Sequence, residues 1–511
     1  MPGPSCPPSP PSDDAHPDRT PIGQGKVMSS PQPARQMGFL QVYPVVVLPM
    51  FLALIDQTIV ATALPDIAAA TGDLGNVSWV MLAYLISAAI AAPCYGSMGD
   101  WLGKRKMLRV ALVISAMGSL ICASATGLEQ IIVGRVIQGL GGGGLMALSH
   151  ALIADVVPAR ERARYQGYFS ATGMVASTAG PVIGGLISHT VGWEGVFLAP
   201  LPVAVLSFIL LYRLPESARA PGKYRFDLVG LLLLAGTVAP LLVGLDFLAG
   251  ERAGMAAIGL VLVAIVCAFA LFRYEKHAQA PVFSPALIAD PTVWRCCAMA
   301  MCHGATLVAF LTFLPLHLRL VHGYDSVTAG LMLVPFSIGI GLGSMTTGLL
   351  ISRTGRTAMF PAMGLSVAVI GFIALAWLSP MLDSIALGGL FLVIAVCLGT
   401  VMAVVLISAQ LASGPERVGA AAGQVQLSRS LGAALGTAVV GAVLMAALRH
   451  GGDGAGTLVN ALRDGADADL ARDSSSLRTV QLGFGLAFSA LAVFPAIGAL
   501  MAATLPLRRI K

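Results

Sequence analysis

Fourteen apolar stretches, each near or above the length that crosses a bilayer, constrain this chain more than any other feature. A helix rising 1.5 Å per residue needs about 20 apolar residues to cross the hydrocarbon core. The predicted spans are 39–63, 77–98, 107–126, 129–153, 165–188, 194–213, 226–247, 253–273, 294–316, 327–351, 358–378, 385–411, 418–447 and 483–506. The chain is 56% hydrophobic and 11% charged, against about 25% charged in soluble domains. We therefore predict an all-α integral membrane protein.

The basic residues predict the orientation of the spans. Cytoplasmic loops of membrane proteins carry an excess of Lys and Arg, and most of the 31 basic residues fall in the tail and in every second loop. The predicted external loops contain only Arg252, Arg319, Arg449, Arg463, Arg472 and Arg478. Both termini are therefore predicted to be cytoplasmic, in a multi-pass protein of the cell membrane. This placement explains the net charge of +6 without a nucleic-acid partner.

Two segments outside the spans are polar. Residues 1–38 are rich in Pro and Ser and are predicted to form a disordered cytoplasmic tail. The loop 448–482 is the one sizeable external segment.

Seven of the eight cysteines lie in or beside apolar runs, and we expect free thiols. Cys296, Cys297, Cys302 and His303 are potential soft-metal ligands, but helical spacing scatters them around the helix. We expect packing there and no metal.

An internal repeat divides the chain into halves. Gly96–Lys104 follows the second span, and the similar stretch Gly348–Arg356 follows the tenth. Pro158 and Pro415 begin a second pair of similar stretches at nearly the same separation. The repeat predicts six-helix halves at 39–213 and 294–511, with two helices inserted in 214–293. Such duplication is typical of secondary transporters, whose substrate site lies between the halves.

The first apolar run contains one carboxylate, Asp56. This residue lies in the last segment of the run, from Leu54 to Pro65. A charge in the hydrocarbon region costs several kcal/mol, so we expect Asp56 to face a cavity rather than lipid. It is either a structural residue, paired in the bundle or wet at the outer interface, or a proton or cation site. The rest of the chain favours the second interpretation.

Four stretches together resemble the major facilitator superfamily, in particular its fourteen-span drug:proton antiporters. They are Gly96–Lys106, Asp56–Pro65, Arg135–Gly141 and Gly180–Gly185, and the resemblance covers roughly residues 39–447. It implies the major facilitator fold, small-molecule substrates and protons as partners, a proton gradient in place of a cofactor, and function as a monomer.

The loop after the second span carries charges with distinct expected roles. Gly96 and Gly103 permit a tight turn, and Asp100 can accept hydrogen bonds at a helix N-terminus, where negative charge is favoured. The basic residues expected to anchor the loop at the cytoplasmic surface are Lys104, Arg105 and Lys106. The resemblance implies a latch that holds the outward-facing state; a plain topogenic loop is the alternative. The second copy has Ser352 in place of Asp100.

Two arginines lie inside predicted spans, where each needs a carboxylate or carbonyl partner. The resemblance implies that Arg135 tunes a nearby acid in proton transfer, and a structural anchor is the alternative. Arg429 has no counterpart in the repeat. It either repels protonated substrate or pairs with an acid.

The fifth span carries small residues at every fourth position, which predicts a smooth face for close helix packing. That face consists of Gly173, Ser177, Pro181 and Gly185. The resemblance associates the motif formed by Gly180, Pro181, Gly184 and Gly185 with exporters.

Further polar residues in the spans are candidates for the substrate cavity: Gln57, Thr58, Gln138, His303 and Gln410. The family's usual Trp-Arg-Trp is replaced by Trp193-Glu194-Gly195, and acids other than Asp56 are scarce in the spans, which disfavours broad dication specificity. The sequence has no phosphate-binding loop for ATP and no nucleophile motif, so we do not expect an enzyme.

The predicted function is proton-coupled efflux of amphiphilic or cationic small molecules, such as drugs and antibiotics, by alternating access. Two alternatives remain open at this point: an importer or uniporter of a small nutrient on the same fold, and a non-transporting membrane receptor.

Overall fold

The computed structural model describes residues 3, 39–72, 76–213, 226–249, 254–278, 281–450 and 474–507, and their regular structure is helical. The first half contains α1 (Phe39–Thr71), α2 (Trp79–Leu102), α3 (Lys104–Ala123), α4 (Leu128–Val156), α5 (Ala159–Val191), α6 (Trp193–Leu198) and α7 (Leu201–Leu210). The middle contains α8 (Leu228–Ala249), α9 (Met255–Glu275) and α10 (Pro285–Ile288). The second half contains α11 (Pro291–His322), α12 (Ser326–Leu331), α13 (Val334–Thr354), α14 (Met359–Leu378), α15 (Ser384–Ser413), α16 (Val418–His450), α17 (Ser474–Leu491) and α18 (Val493–Ala503).

These helices supply 14 segments that are long and apolar enough to cross a membrane, which confirms the predicted all-α membrane architecture. Three of the segments consist of two consecutive helices: α6 with α7, α12 with α13, and α17 with α18. The predicted tail 1–38, apart from residue 3, lies outside the described residues.

The predicted external loop 448–482 is too long. The helix α16 continues to His450 and α17 already begins at Ser474, with residues 451–473 outside the described part of the chain. The first turns of α17 are polar, so hydropathy alone assigns them to a loop.

Polar contacts join the ends of neighbouring helices at one end of the bundle. Lys104 at the start of α3 bonds to Asp155 at the end of α4, and Gln410 near the end of α15 donates to the carbonyl of His150 in α4. We call this the basic end, because it carries Lys104–Lys106, and we call the opposite one the far end. The basic residues predict that the basic end is cytoplasmic.

Two extensive interfaces join the halves, with smaller contacts beside them: α2 packs along α16, and α5 packs along α13. Under the repeat α2 corresponds to α13 and α5 to α16, so the two interfaces are equivalent. Glycines allow the close approach. A Cβ on Gly96 would collide with the backbone of Gly419, and one on Gly167 would collide with Met345. Both contacts lie toward the basic end of their helices, so the halves are in contact there.

The inserted helices α8 and α9 pack on each other and against one side of the bundle. A buried cluster joins Leu234 and Val238 of α8 to Ile90 of α2 and Leu427 of α16. The inserted pair therefore covers the α2–α16 interface, which agrees with an insertion between two halves.

The predicted packing face of the fifth span is wrong. Ser177 and Pro181 are exposed, and a Cβ on Gly185 would meet nothing within 4 Å. Gly173 approaches only the end of the Leu54 side chain. The spacing of small residues identified a smooth face correctly, but the partner helix α1 packs on the neighbouring face of α5.

Candidate functional site

The carboxylate of Asp56 lies inside the first half and is 4% exposed. It is carried by α1, which has no other acidic residue between Phe39 and Leu64. The surrounding side chains of α1, such as Ile55 and Ile59, are buried in an apolar cluster. A charge held in such surroundings requires compensation by hydrogen bonds or an opposite charge.

Two residues of α4 supply that compensation. Arg135 and Gln138 are three positions apart, so both side chains lie on one face of the helix. Arg135 Nη1 donates to Asp56 Oδ2 over 2.8 Å, and Gln138 Nε2 donates to Asp56 Oδ1 over 2.7 Å. Arg135 Nη1 also donates to Gln138 Oε1 over 2.7 Å. The three side chains thus form a closed triangle of hydrogen bonds.

The network extends to two further helices. Gln138 Nε2 donates to Ser119 Oγ of α3 over 2.8 Å. On α2, the carbonyl of Val80 accepts from Arg135 Nε over 3.0 Å, and the Tyr84 ring lies 4.2 Å from the guanidinium carbon. Four helices therefore hold the Asp56–Arg135 pair, and we call this set the acid–arginine network.

One hydrogen-bond donor of the acid–arginine network has no partner among the described residues. Arg135 is fully buried, and its Nη2 has no hydrogen-bond partner among the described residues. A buried guanidinium nitrogen without a partner is costly. The geometry therefore leaves one position beside Asp56 at which a polar group would be favoured.

A small cavity of about 10 Å³ adjoins the carboxylate, close to the room that one water molecule needs. Its polar lining consists of Asp56, Ser115, Ser119 and Gln138, and apolar residues of α1, α3 and α7 complete the wall. Asp56 therefore faces a polar cavity, as predicted, and it is also paired within the bundle.

Tyr84 and Ser119 belong to the network but were not predicted. Each is a single polar group in an apolar span, a pattern too common to identify a site. The Tyr84 hydroxyl donates to the carbonyl of Ala53 over 3.2 Å and also interacts with the candidate cavity residue Gln57. The tyrosine thus fixes the position of α1 relative to α2 beside Asp56.

Asp100 bonds to the start of a helix, as predicted, and that helix belongs to the other half. Its two carboxylate oxygens accept from the backbone N–H groups of Gly419 and Ala420 in α16, each over 2.9 Å. These N–H groups lie in the first turn of α16, where helical partners are lacking and negative charge is stabilised. Asp100 therefore joins the two halves at the basic end.

Two expectations for this loop are corrected. Lys104 is not at the surface: it is 2% exposed, with its Nζ 2.7 Å from Asp155 and 3.5 Å from Asp100. Two carboxylates require a buried cation between them. Gly96 lies inside α2 and permits the close approach of α16 rather than a turn. Gly103 does form the turn, with φ +96°.

The other residues of the repeated loops differ between the halves. Arg105 donates to the carbonyl of Tyr212 over 3.1 Å and faces its ring. In the second copy the Ser352 hydroxyl donates to the carbonyl of Leu349 in its own helix and to no other described residue, although Gly355 keeps a turn with φ +68°. The carboxylate link between the halves is therefore confined to the first copy.

Gly180 and Gly184 of α5 pack directly against α1 near Asp56. A Cβ at either position would overlap the hydroxyl of Thr58 or Thr62. Thr58 Oγ1 donates to the carbonyl of Ala176 over 3.1 Å, as well as to its own helix. Thr58 therefore belongs to the α1–α5 interface, which holds the segment that carries Asp56.

Arg429 of α16 is half-buried, and its Cγ and carbonyl contact Gly304 of α11. No hydrogen bond or ion pair links it to a described residue, so the predicted alternative of an acidic partner finds no support in that part of the chain. His303 of α11 is 5% exposed, and its Nδ1 has no partner among the described residues.

Gln410, a predicted cavity residue, forms a contact between the two halves. It is buried, and its amide donates to the carbonyl of His150 over 3.0 Å, because the halves meet at the basic end. Within the described ranges, the seven cysteines are free thiols, and no group of three His, Cys, Asp or Glu side chains could hold a metal.

A bundle of 14 spans in two joined halves, with an acid–arginine network inside one of them, defines a polytopic membrane transport protein. The sequence model of the Major Facilitator Superfamily matches residues 46–437. The chain therefore belongs to this family, whose members are transporters and not enzymes.

The curated relatives are bacterial and fungal transporters. An uncharacterized MFS-type transporter of Mycobacterium tuberculosis is 30% identical over 410 residues, which cover 79% of this chain and 59% of that protein. The chain thus matches less than two thirds of that relative. The multidrug transporter protein MdtP of Bacillus subtilis is 27% identical over 402 residues, covering 78% of this chain and 74% of MdtP.

Solved structures share the fold. The human organic anion transporter MFSD10 superposes with a TM-score of 0.62 at 17% identity, covering 91% of this chain and all of that one. The proton:xylose symporter XylE superposes with a TM-score of 0.58 at 14% identity, covering 91% of this chain and 96% of XylE. These matches agree with the predicted major facilitator fold.

Proposed function

We propose that the protein exports amphiphilic or cationic small molecules in exchange for protons, by alternating access. The observation that carries the proposal is the buried Asp56 carboxylate, both of whose oxygens accept from Arg135 and Gln138. An ionisable residue inside a membrane bundle is by default a candidate functional site. The cavity that adjoins Asp56 is close to the size that one water molecule needs, and such a water would give the carboxylate a partner for proton exchange.

Proton and substrate would be coupled through the charge of Asp56. Protonation removes the negative end of the ion pair, so Arg135 loses its charged partner and the helices α1 and α4 lose part of their attraction. Substrate and proton disfavour each other when both depend on the same carboxylate. A coupling of about 1–3 kcal/mol is typical of linked binding sites.

Alternating access would use the contacts at the basic end. Two contacts join the halves there: Asp100 accepts from the start of α16, and Gln410 donates to the carbonyl of His150 in α4. Opening this end requires breaking both links, which supports a role for them in holding the basic end closed while the far end opens. We propose that Gly96, Gly103, Lys104 and Arg105 support this latch.

Two observations support export over import. Several relatives are named as multidrug transporters or efflux pumps, among them MdtP and the efflux pump FUS6 of Gibberella fujikuroi. The glycines of the motif implied by the resemblance, Gly180 and Gly184, pack on the helix of Asp56. We further propose a monomer in the cell membrane with both termini cytoplasmic, driven by the proton gradient without a cofactor.

Inverted vesicles with an imposed proton gradient test the proposal. We expect a cationic or amphiphilic dye to release protons from vesicles with the unaltered protein and not from vesicles with Asp56→Asn. Asp66→Asn is the matched control, because Asp66 lies on the same helix, is exposed and bonds to Ser188. Unchanged proton release in Asp56→Asn would overturn the coupling role. Proton entry together with substrate uptake into whole cells would identify an importer.

A further inference from the structure

Arg429 differs from the arginine of the acid–arginine network, since its charge is not neutralised by any described carboxylate. It lies in the fourth turn of α16, within an otherwise uncharged stretch of that helix from Val418 to Ala447. Its backbone is held by close contact with Gly304, and it is partly accessible. A cation retained inside a membrane bundle without an internal partner requires a partner from outside the protein.

Two imidazoles accompany this cation. Arg429 packs on Gly304, which directly follows His303 in α11, and the helix α4 that carries His150 packs against α16. Groups from both halves therefore lie on the helices around Arg429. Both imidazoles are 5% exposed. His303 presents an unpartnered Nδ1, so a buried polar group independent of Arg429 marks the same place.

The hydrogen bonds of His150 define which ring nitrogen remains available. Gln166 Nε2 donates to His150 Nδ1 over 3.1 Å, which places the ring proton on Nε2. The ring is further fixed by an edge contact with Phe169, with centroids 5.4 Å apart. His150 therefore offers an N–H donor that no described residue accepts.

We propose that Arg429, together with His303 and His150, binds an anionic group of the transported molecule, in the first place a carboxylate. A guanidinium presents paired donors that match a carboxylate, and two neutral imidazoles add donors without a competing charge. The residues come from α4, α11 and α16, so a bound anion would contact both halves.

This inference rests on the proposed export function and narrows its substrate class. The substrate would be an amphiphile that carries an anionic group, zwitterions included. A cation without such a group would be repelled by Arg429 and gain nothing from the imidazoles. The scarcity of acids elsewhere in the spans is consistent with this choice, since few carboxylates are present to receive a dication.

A pair of dyes that differ only at the carboxylate tests the inference. The probes are a rhodamine with a free carboxylate and the methyl ester of the same rhodamine. We measure equilibrium binding to the purified protein by fluorescence polarisation, without a proton gradient. The unaltered protein should bind the free acid more tightly than the ester by about tenfold or more, because an unpaired charge is lost in the ester.

Substitutions then assign the difference to Arg429. Arg429→Gln should weaken binding of the free acid by about tenfold and leave the ester unchanged or slightly tighter. Arg429→Lys keeps the charge but not the paired donors, so its affinity for the acid should be intermediate. Arg356→Gln, an exposed arginine of the same half, should change neither dye. Equal binding of the two dyes by the unaltered protein, or equal losses in Arg429→Gln, would overturn the inference.

Binding and transport separate this inference from the proposed function. Asp56→Asn should retain the preference for the free acid in the binding assay while losing proton-driven transport of it. If the unaltered protein binds with the expected preference but moves no protons, the anion site stands and the export function fails. His303→Asn provides a second variant that is independent of Arg429, with a smaller loss expected for the acid alone.

Discussion

Arg135 in the first half and Arg429 in the second half both lie inside the helix bundle, but their surroundings differ. Arg135 is fully buried, with Asp56 2.8 Å away and three further interactions around it. Arg429 is partly accessible, and no described carboxylate or hydrogen-bond acceptor contacts it. One half therefore neutralises its charge internally, whereas the other leaves its charge available to a ligand.

The same asymmetry appears at the basic end. Asp100 of the first repeat bonds to the other half, and Ser352 in the second repeat bonds to its own helix. Duplicated halves have thus diverged in their polar residues while keeping their packing. The proposed proton exchange therefore uses the charged pair of the first half, and the proposed anion site uses the unpaired cation of the second half.

The largest expected effect is the loss of Arg135. Arg135→Gln leaves Asp56 as an uncompensated buried charge, and such a change costs about 3–5 kcal/mol. Arg429→Gln removes a cation that has no described partner, so we expect less than about 1 kcal/mol. Thermal unfolding in detergent measures both, and Arg135→Gln should have much the lower Tm. Equal values of Tm would contradict the view that Arg135 stabilises the fold through its ion pair whereas Arg429 does not.

Removal of both members of the pair should restore stability but not function. The double variant Asp56→Asn/Arg135→Gln has no buried charge left in the network, so its Tm should recover most of what Arg135→Gln loses. Proton-driven transport should remain absent. A double variant as unstable as the sum of the two single variants would show that the ion pair is not the unit of the network.

A substitution in the packing around Asp56 should have a smaller effect on the free energy of unfolding. Gly180→Ala places a Cβ into Thr58 and should cost about 1–3 kcal/mol through overpacking. The matched variant Gly185→Ala meets open space and should be neutral or slightly stabilising, because Ala is the better helix former. Thermal unfolding measures this difference, and Gly180→Ala should have the lower Tm of the two variants. A similar loss in both would mean that the contact of α5 with α1 does not position the network.

The smallest expected effect concerns the latch. Asp100→Asn removes a negative charge from the start of α16, where charge–dipole interactions contribute about 0.3–1 kcal/mol and up to about 2 kcal/mol. The population that is open at the basic end should therefore rise severalfold. Spin labels at the exposed positions Lys106 and Arg417 report it as a longer distance. Ser352→Ala should leave the distribution unchanged, and a shift of equal size there would contradict the asymmetry.

Much of this arrangement could be predicted from the sequence, and the reason is physical. Apolar length defines the spans, and a carboxylate such as Asp56 in an apolar run must find a partner. Arg135 was the evident candidate, because buried guanidinium groups require carboxylates or carbonyls. Asp100 was likewise expected at a helix N-terminus, although its partner helix could not be identified from the loop.

The rest depended on tertiary packing. Nothing in the sequence indicates that Tyr84 and Ser119 face Asp56, since single polar groups occur throughout apolar helices. Lys104 reads as a surface residue because its burial depends on Asp155, a residue of another helix. The exposed stripe through Pro181 shows the same limitation: spacing defines a face of α5 but not the helix that packs on it.

Proton release on substrate binding tests the central claim most directly. Purified protein in weakly buffered detergent solution is mixed with a transported dye, and the released protons are counted per bound dye with a pH indicator. If Asp56 exchanges a proton for substrate, the unaltered protein should release protons near the pH at which Asp56 titrates. Asp56→Asn should bind the dye and release none, whereas Asp66→Asn should match the unaltered protein. Equal release from Asp56→Asn and the unaltered protein would contradict the account.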